Sequence, residues 1–276
     1  MHHSAWRRLG SDRIALYGLG IWIGLMVMAI VAPLLPLPSY EDMNLERPLS
    51  LPSTRHWLGT DSFGRDTLSR VVYGARVSMG VATAAVGVAV VVGTMAGLTV
   101  GYHRGLVDTT ISRVMDGVMS FPPVLLAIAL VGAIGPSARN VAIALAIVYV
   151  PRFTRVTRAS VLGVAELEYV QAAHALGAGA ATIMFGHILP NVAGPIIVQA
   201  TASYAYAIIA EAGMSFLGLG TQPPMPSWGS MLADARRYLE TDAWYAAIPC
   251  VVLSTSVVSI TLVGDRLRHA LDPGQR

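Results

Sequence analysis

The segment Glu168–Asn191, EYVQAAHALGAGAATIMFGHILPN, decides how this chain is read. It lies between two apolar runs, Val141–Val150 and Val192–Ala212, and is itself almost without charge. Tyr169, Ala172, Ala173 and Leu176 recur at helical spacing, and Gly177 stands where a glycine ends a short helix. Ala180–Leu189 has room for another turn or two before Pro190, which is placed to open the next helix. The small residues Ala172, Ala173 and Gly177 let another surface come close to the backbone. The segment has the shape of a plug for a socket. Taken by itself, an ordinary amphipathic connector fits the short pattern equally well.

Composition supplies the setting. Hydrophobic residues make up 54% of the 276, charged residues 13%, and mean hydropathy is +0.58. A soluble chain needs far more polar surface than that, so the class is polytopic membrane protein. All 19 basic residues are Arg. Arg placed at one membrane face explains the pI near 9.2 better than nucleic-acid binding does. One cysteine, Cys250, excludes an intrachain disulfide and any CxxC motif, and it reads as a small packing residue. The first apolar run is too long for a signal-peptide core and is expected to be a retained span.

Six spans are expected. Residues 1–13 form a basic N-terminus, 14–35 the first span, and 36–76 a polar connection. The end of that connection, Thr67–Arg76, reads as an amphipathic helix lying on the membrane surface. Residues 77–264 form a five-helix core, with the plug segment at 166–190 and a second polar segment at 214–243; residues 265–276 are a short charged tail. Gly87, Val91 and Gly93–Gly97 give span two small-xxx-small spacing for close packing. Pro122 and Pro123 are expected to kink span three, Val114–Ala133. Arg152, Arg155 and Arg158, at three-residue steps after Pro151, are expected among lipid headgroups. With both termini in the cytoplasm, Arg divides eleven inside to eight outside, a weak bias that agrees with an inward-facing plug.

The plug resembles the EAA loop of bacterial ABC-importer permeases: Gln171-Ala172-Ala173, then Gly177, then Leu189-Pro190, with Gln171 in place of the motif's Glu. Further stretches are similar to the C-type permeases of dipeptide, oligopeptide and nickel-peptide importers. They are Arg13-Ile14-Ala15-Leu16-Tyr17-Gly18-Leu19, His56-Trp57-Leu58-Gly59-Thr60-Asp61 with Gly64-Arg65-Asp66, and Glu211-Ala212-Gly213-Met214-Ser215-Phe216-Leu217-Gly218-Leu219-Gly220. Pro226-Ser227-Trp228-Gly229 and Gly264-Asp265-Arg266-Leu267-Arg268 with Leu271-Asp272-Pro273 complete the set. Together they cover the whole chain in order. The resemblance implies an all-α protein with six transmembrane helices of the type I ABC importer permease fold, in the bacterial inner membrane. It implies a heterodimer with a B-type permease, two ATP-binding subunits and an extracytoplasmic binding protein that delivers peptide. No cofactor is expected on this chain, with ATP and Mg held by the partner ATPases.

By that resemblance, ATPase coupling falls to Ala172, Ala173 and Gly177, with Glu168, Tyr169 and Gln171 at the rim and Leu189 and Pro190 at the exit. Gln199, Ser203, Tyr206, Glu211, Ser256 and Ser259 are candidates for the translocation path, and for all of them but Glu211 interhelical hydrogen bonding is at least as good a reading. Glu211, an acid near a span end, either lines the path or holds the outer segment. Asp61, Arg65 and Asp66 are expected to brace the first polar connection. His174 and His187 flank Gly177 without an acid or cysteine at ligand spacing, so no metal site is expected. No catalytic residue is expected either: Gly213-Met214-Ser215-Phe216-Leu217 lacks the closing glycine of a nucleophile elbow, and a chain without Lys has no Walker A motif. The rival class is an ATP-independent secondary transporter or channel subunit. That class predicts ionisable residues deep in the spans and an internal repeat, and neither is visible here.

Overall fold

A computed structural model describes residues 12–271, which are helical apart from the connections between helices, the longest being residues 35–66, and one isolated bridge, Thr60 to Asp66. The N-terminal Arg7 and Arg8 and the tail from Asp272 onward lie outside the described residues. The helices are α1 Arg13–Val31, α2 Thr67–His103, α3 Gly105–Met119, α4 Pro123–Ile134 and α5 Ala138–Ala165. After them come α6 Glu168–Ala175, α7 Leu189–Phe216, α8 Trp228–Ala235 and α9 Ala243–Leu271. A seven-residue π-helical stretch, Thr182–Ile188, runs straight into α7.

Local chemistry sets the ends of these helices. The Asp12 carboxylate accepts the backbone N–H groups of Ile14 and Ala15 and so caps α1, and Pro33 follows its last turn. Asp66 caps α2 by accepting from the Ser69 backbone at 2.8 Å. Among the described residues, four helices are long and apolar enough to cross a membrane: α1 with its 3-10 extension, α2, the π segment with α7, and α9. The α3–α4 pair qualifies as one broken span, bent by 87°. The expected proline kink is therefore present, and it is a full break. Pro123 excludes helical geometry at Pro122, whose ψ is 128°, so α4 starts afresh in a new direction. The remaining long helix, α5, has 28 residues but falls short on composition because Arg152, Arg155 and Arg158 load its second half.

Two expectations about segments are corrected. Thr67–Arg76 is not a separate surface helix. It forms the first turns of α2, whose 37 residues extend for about 55 Å, well beyond the ~30 Å hydrocarbon core. Ser69 and Arg70, on the expected polar face, are buried instead. The Arg row of α5 is not left to headgroups. Arg158 holds Asp108 through two bonds, Nε at 2.7 Å and Nη2 at 2.6 Å, and Arg155 reaches Asp116 at 2.9 Å, tying α5 to α3. Cys250 is also corrected: it sits exposed on α9 rather than in the packing.

The most extensive helix interface joins α2 to α5. Its seam is Gly93, Gly97 and Gly101, four residues apart on one face, against Phe153, Thr154, Thr157 and Val161. Gly87, expected to share this role, faces open space. α7 packs on both helices, while α1 lies across α9 and α2.

Candidate functional site

Of the α6 residues only Val170 is buried, so the helix stands out from the bundle with Glu168, Tyr169, Gln171 and Ala172 exposed and Ala173 half-buried. Its stop is a complete Schellman motif. The Gly177 N–H donates to the His174 carbonyl at 3.0 Å, and the Ala178 N–H to the Ala173 carbonyl at 3.1 Å. This geometry requires the left-handed φ of +78° that Gly177 adopts. Beyond it, Ile183 and Ile188 are fully buried and anchor the π segment, with Leu189 half-buried and Pro190 in the first turn of α7. The result is a short helix that stands out ahead of a buried anchor. Leu176, just past its end, is 88% exposed, and Leu167, Tyr169 and Phe185 are exposed as well. Exposed apolar side chains on a projecting element suit a contact surface.

Gln171 does something the sequence pattern concealed. Its side-chain Nε2 donates to the carbonyl of Ala165, the last residue of α5, at 3.0 Å. A neighbouring contact joins α6 to α2: the Tyr102 ring stacks on His174, and the Tyr102 hydroxyl lies 3.2 Å from His174 Nε2. Arg104, just past α2, pairs with Glu166. The Tyr102–His174 and Arg104–Glu166 partners lie more than sixty residues apart, so only the fold could reveal them.

The six path candidates separate into two groups. Ser203, Glu211, Ser256 and Ser259 are buried within the chain's own packing. Gln199 is half-buried and donates to Ser203 Oγ at 3.0 Å. Tyr206 is 59% exposed, with the Arg152 guanidinium 5.9 Å from its ring centroid. Glu211 accepts the Ser215 hydroxyl at 2.7 Å, and its Oε2 has no hydrogen-bond partner among the described residues. Close by, the Trp228 backbone N–H donates to Ser78 Oγ and its indole N–H donates to the Val71 carbonyl at 3.1 Å. Gly229 passes directly over Ala212, where a Cβ would have no room. The Glu211–Gly220 and Ser227–Gly229 motifs thus fasten the α7–α8 connection onto α2.

At the same end of the bundle, the connection between α1 and α2 is organised by Asp61, which is fully buried. Its Oδ1 accepts the backbone N–H groups of Phe63 and Arg65, and its Oδ2 receives Arg65 Nε at 2.6 Å with Arg70 Nε 3.2 Å away. Both guanidinium groups also approach Asp234 of α8 at 3.8 Å. Burial lifts the Asp234 carboxyl above its ordinary pKa, against the lowering pull of Arg70 and Arg65. Asp66, besides capping α2, bonds His56 Nδ1 at 2.8 Å. Asp61, Arg65 and Asp66 brace this connection, and Arg70, not singled out from sequence, completes the cluster.

The fold is a helical membrane bundle with a broken span and one short helix that stands out from it. Residues 89–276 match the model described as binding-protein-dependent transport system inner membrane component, and residues 2–52 match the N-terminal TM domain of oligopeptide transport permease C. The chain is 45% identical to the dipeptide transport system permease protein DppC of Alkalihalophilus pseudofirmus, over 98% of this chain and 88% of that protein. It is 40% identical to a di/tripeptide transport system permease of Pseudomonas aeruginosa over 97% and 90%, and 38% identical to a glutathione transport system permease of Escherichia coli over 98% and 90%. The fold is also that of a chain in the MetNI methionine ABC transporter in inward-facing conformation, with TM-score 0.59 and 18% identity over 75% of this chain and 97% of that one. The chain belongs to the permease family of binding-protein-dependent ABC importers, in the branch of the C-type permeases.

Proposed function

We propose that this chain is the C-type permease subunit of an ATP-driven importer for dipeptides and short oligopeptides, and that α6 is its coupling helix. The observation that carries the reading is the exposed, Schellman-terminated α6 with the exposed apolar side chains around it, a rigid body suited to a socket on another subunit. The peptide class rests on relatives whose names specify dipeptide, di/tripeptide and glutathione transport. In this reading a B-type permease completes the path. Two ATPases carry the ATP and Mg and dock on Glu168, Tyr169, Gln171, Ala172, Ala173 and Gly177, with Leu189 and Pro190 stiffening the exit. A binding protein delivers peptide at the far end, where Asp61 and Trp228 hold the two polar connections. The protein then sits in the bacterial inner membrane with both termini in the cytoplasm.

Of the path candidates, Gln199 and Tyr206 are the side chains accessible to a second subunit. Ser203, Glu211, Ser256 and Ser259 serve the packing of this one.

Co-purification of the tagged chain from its native membrane tests the assignment. Wild type is expected to bring down a second permease and ATPase subunits. Gly177→Arg is expected to keep the permease and lose the ATPases. No heavy atom lies within 4 Å of a Cβ at this position, so the folding cost is confined to the left-handed backbone, about 1–2 kcal/mol. Wild type that purifies alone and transports without ATP would overturn the assignment.

A further inference from the structure

By itself α6 is poorly held. It has eight residues, one of them buried, and a helix that short has almost no intrinsic stability. Connections at its two ends would leave it free to rotate without moving the bundle. Three side-chain contacts prevent this. Gln171 Nε2 donates to the Ala165 carbonyl at the end of α5. Tyr102, in the last turn of α2, stacks on His174 with ring centroids 6.2 Å apart and planes 7° from parallel. Arg104 pairs with Glu166 beside it. The helices that receive these contacts are the two joined by the glycine seam, where backbone meets backbone too closely for independent sliding.

We infer that Tyr102, His174, Arg104, Glu166 and Gln171 are positioning residues that make α6, α2 and α5 one lever, so that displacement of the coupling helix is delivered to both long helices together. The inference rests on the proposed coupling role of α6. It also gives Gln171 a reason. An ionised glutamate here has no hydrogen to donate to Ala165, and its charge would stand at the negative end of α5. Restoring the family motif's acid in this chain is therefore expected to weaken the lever.

The test uses the complete complex in proteoliposomes, with a radiolabelled alanine dipeptide as probe. It compares wild type with Tyr102→Phe, Tyr102→Ala, Glu166→Ala and the double variant Tyr102→Ala/Glu166→Ala. Three quantities are read: ATPase subunits retained, ATP hydrolysed, and dipeptide moved per ATP. The expected result is full retention of the ATPases, continued hydrolysis, and a fall in dipeptide per ATP of roughly two- to thirty-fold, greatest in the double variant. Tyr102→Phe keeps the ring stack and is expected to stay close to wild type. If Tyr102→Ala does not accumulate in the membrane, Glu166→Ala, which breaks the Arg104 pair at an exposed position, carries the test alone. An unchanged transport ratio would overturn the lever, as would loss of the ATPases in parallel with transport, since the contacts would then merely shape the docking surface. Failure of the proposed function reads differently: wild type itself would hold no ATPase or move no dipeptide.

Discussion

Gly97→Leu is expected to prevent accumulation of the folded chain in the membrane. A Cβ at Gly97 would stand 2.6 Å from the Thr154 carbonyl oxygen, 2.6 Å from Thr157 Cβ and 3.1 Å from the Arg158 backbone nitrogen. Two of those three atoms are backbone, so no rotamer change relieves the overlap, and α2 must separate from α5. Overpacking costs about 1–3 kcal/mol where side chains can adjust, and more where they cannot; at least about 3 kcal/mol is expected here. Separation also strains the Arg158–Asp108 pair, because Arg158 lies on α5 and Asp108 on α3, the helix that directly follows α2. Gly87→Leu is the control. It adds the same side chain to the same helix, meets no atom within 4 Å, and is expected to change stability by no more than about 0.5 kcal/mol. Membrane yield and the thermal unfolding midpoint in detergent measure both. Equal behaviour of the two variants would mean that the glycine seam is not the contact that joins these helices.

Asp61→Ala is expected to be nearly as severe, and to act at the opposite end of the bundle. The substitution leaves Arg65 and Arg70 buried, at 4% and 3% exposure, with Asp234 as their remaining acid at 3.8 Å. Removing one partner of a buried ion pair costs about 3–5 kcal/mol, because the charges left behind have lost their solvation and gained nothing. The turn over Phe63 and Arg65 also loses its acceptor. Loosening is expected first in the α1–α2 connection, where limited proteolysis of the purified complex will detect it. A second substitution supplies the check on mechanism. Arg70→Met in the Asp61→Ala background removes one of the stranded charges, and part of the lost stability is expected to return. If Asp61→Ala resists protease as well as wild type, the cluster is not what holds this connection.

The two variants show where sequence reading succeeds and where it stops. Asp61, Arg65 and Asp66 were legible as braces because charged residues in an apolar chain have to be paired. Arg70 was not, because its helical periodicity put it on the polar face of an imagined surface helix. Periodicity records which residues share a face but not what covers that face, and here the cover is Asp61 and Asp234, one loop and one distant helix away. The Arg row of α5 failed in the same manner: its partners Asp108 and Asp116 lie on α3, some forty to fifty residues earlier in the chain. Gln171 looked like a lost charge until its amide was found on Ala165.

The sequence alone determined the class, the helical architecture and the site of the projecting helix. Apolar runs of span length leave the backbone no alternative to helix in a membrane, and Gly177 marks a terminus through a local dihedral preference that needs no tertiary partner, whereas the helix expected to open at Pro190 already runs from Thr182. Only the tertiary structure decided that α2 is one helix of 37 residues, that span three is broken, which glycines form the seam, and that four of the six polar path candidates face inward. Each of these depends on contacts between residues remote in the chain, where one helix face is chosen over another by close packing and by the need to pair buried charge.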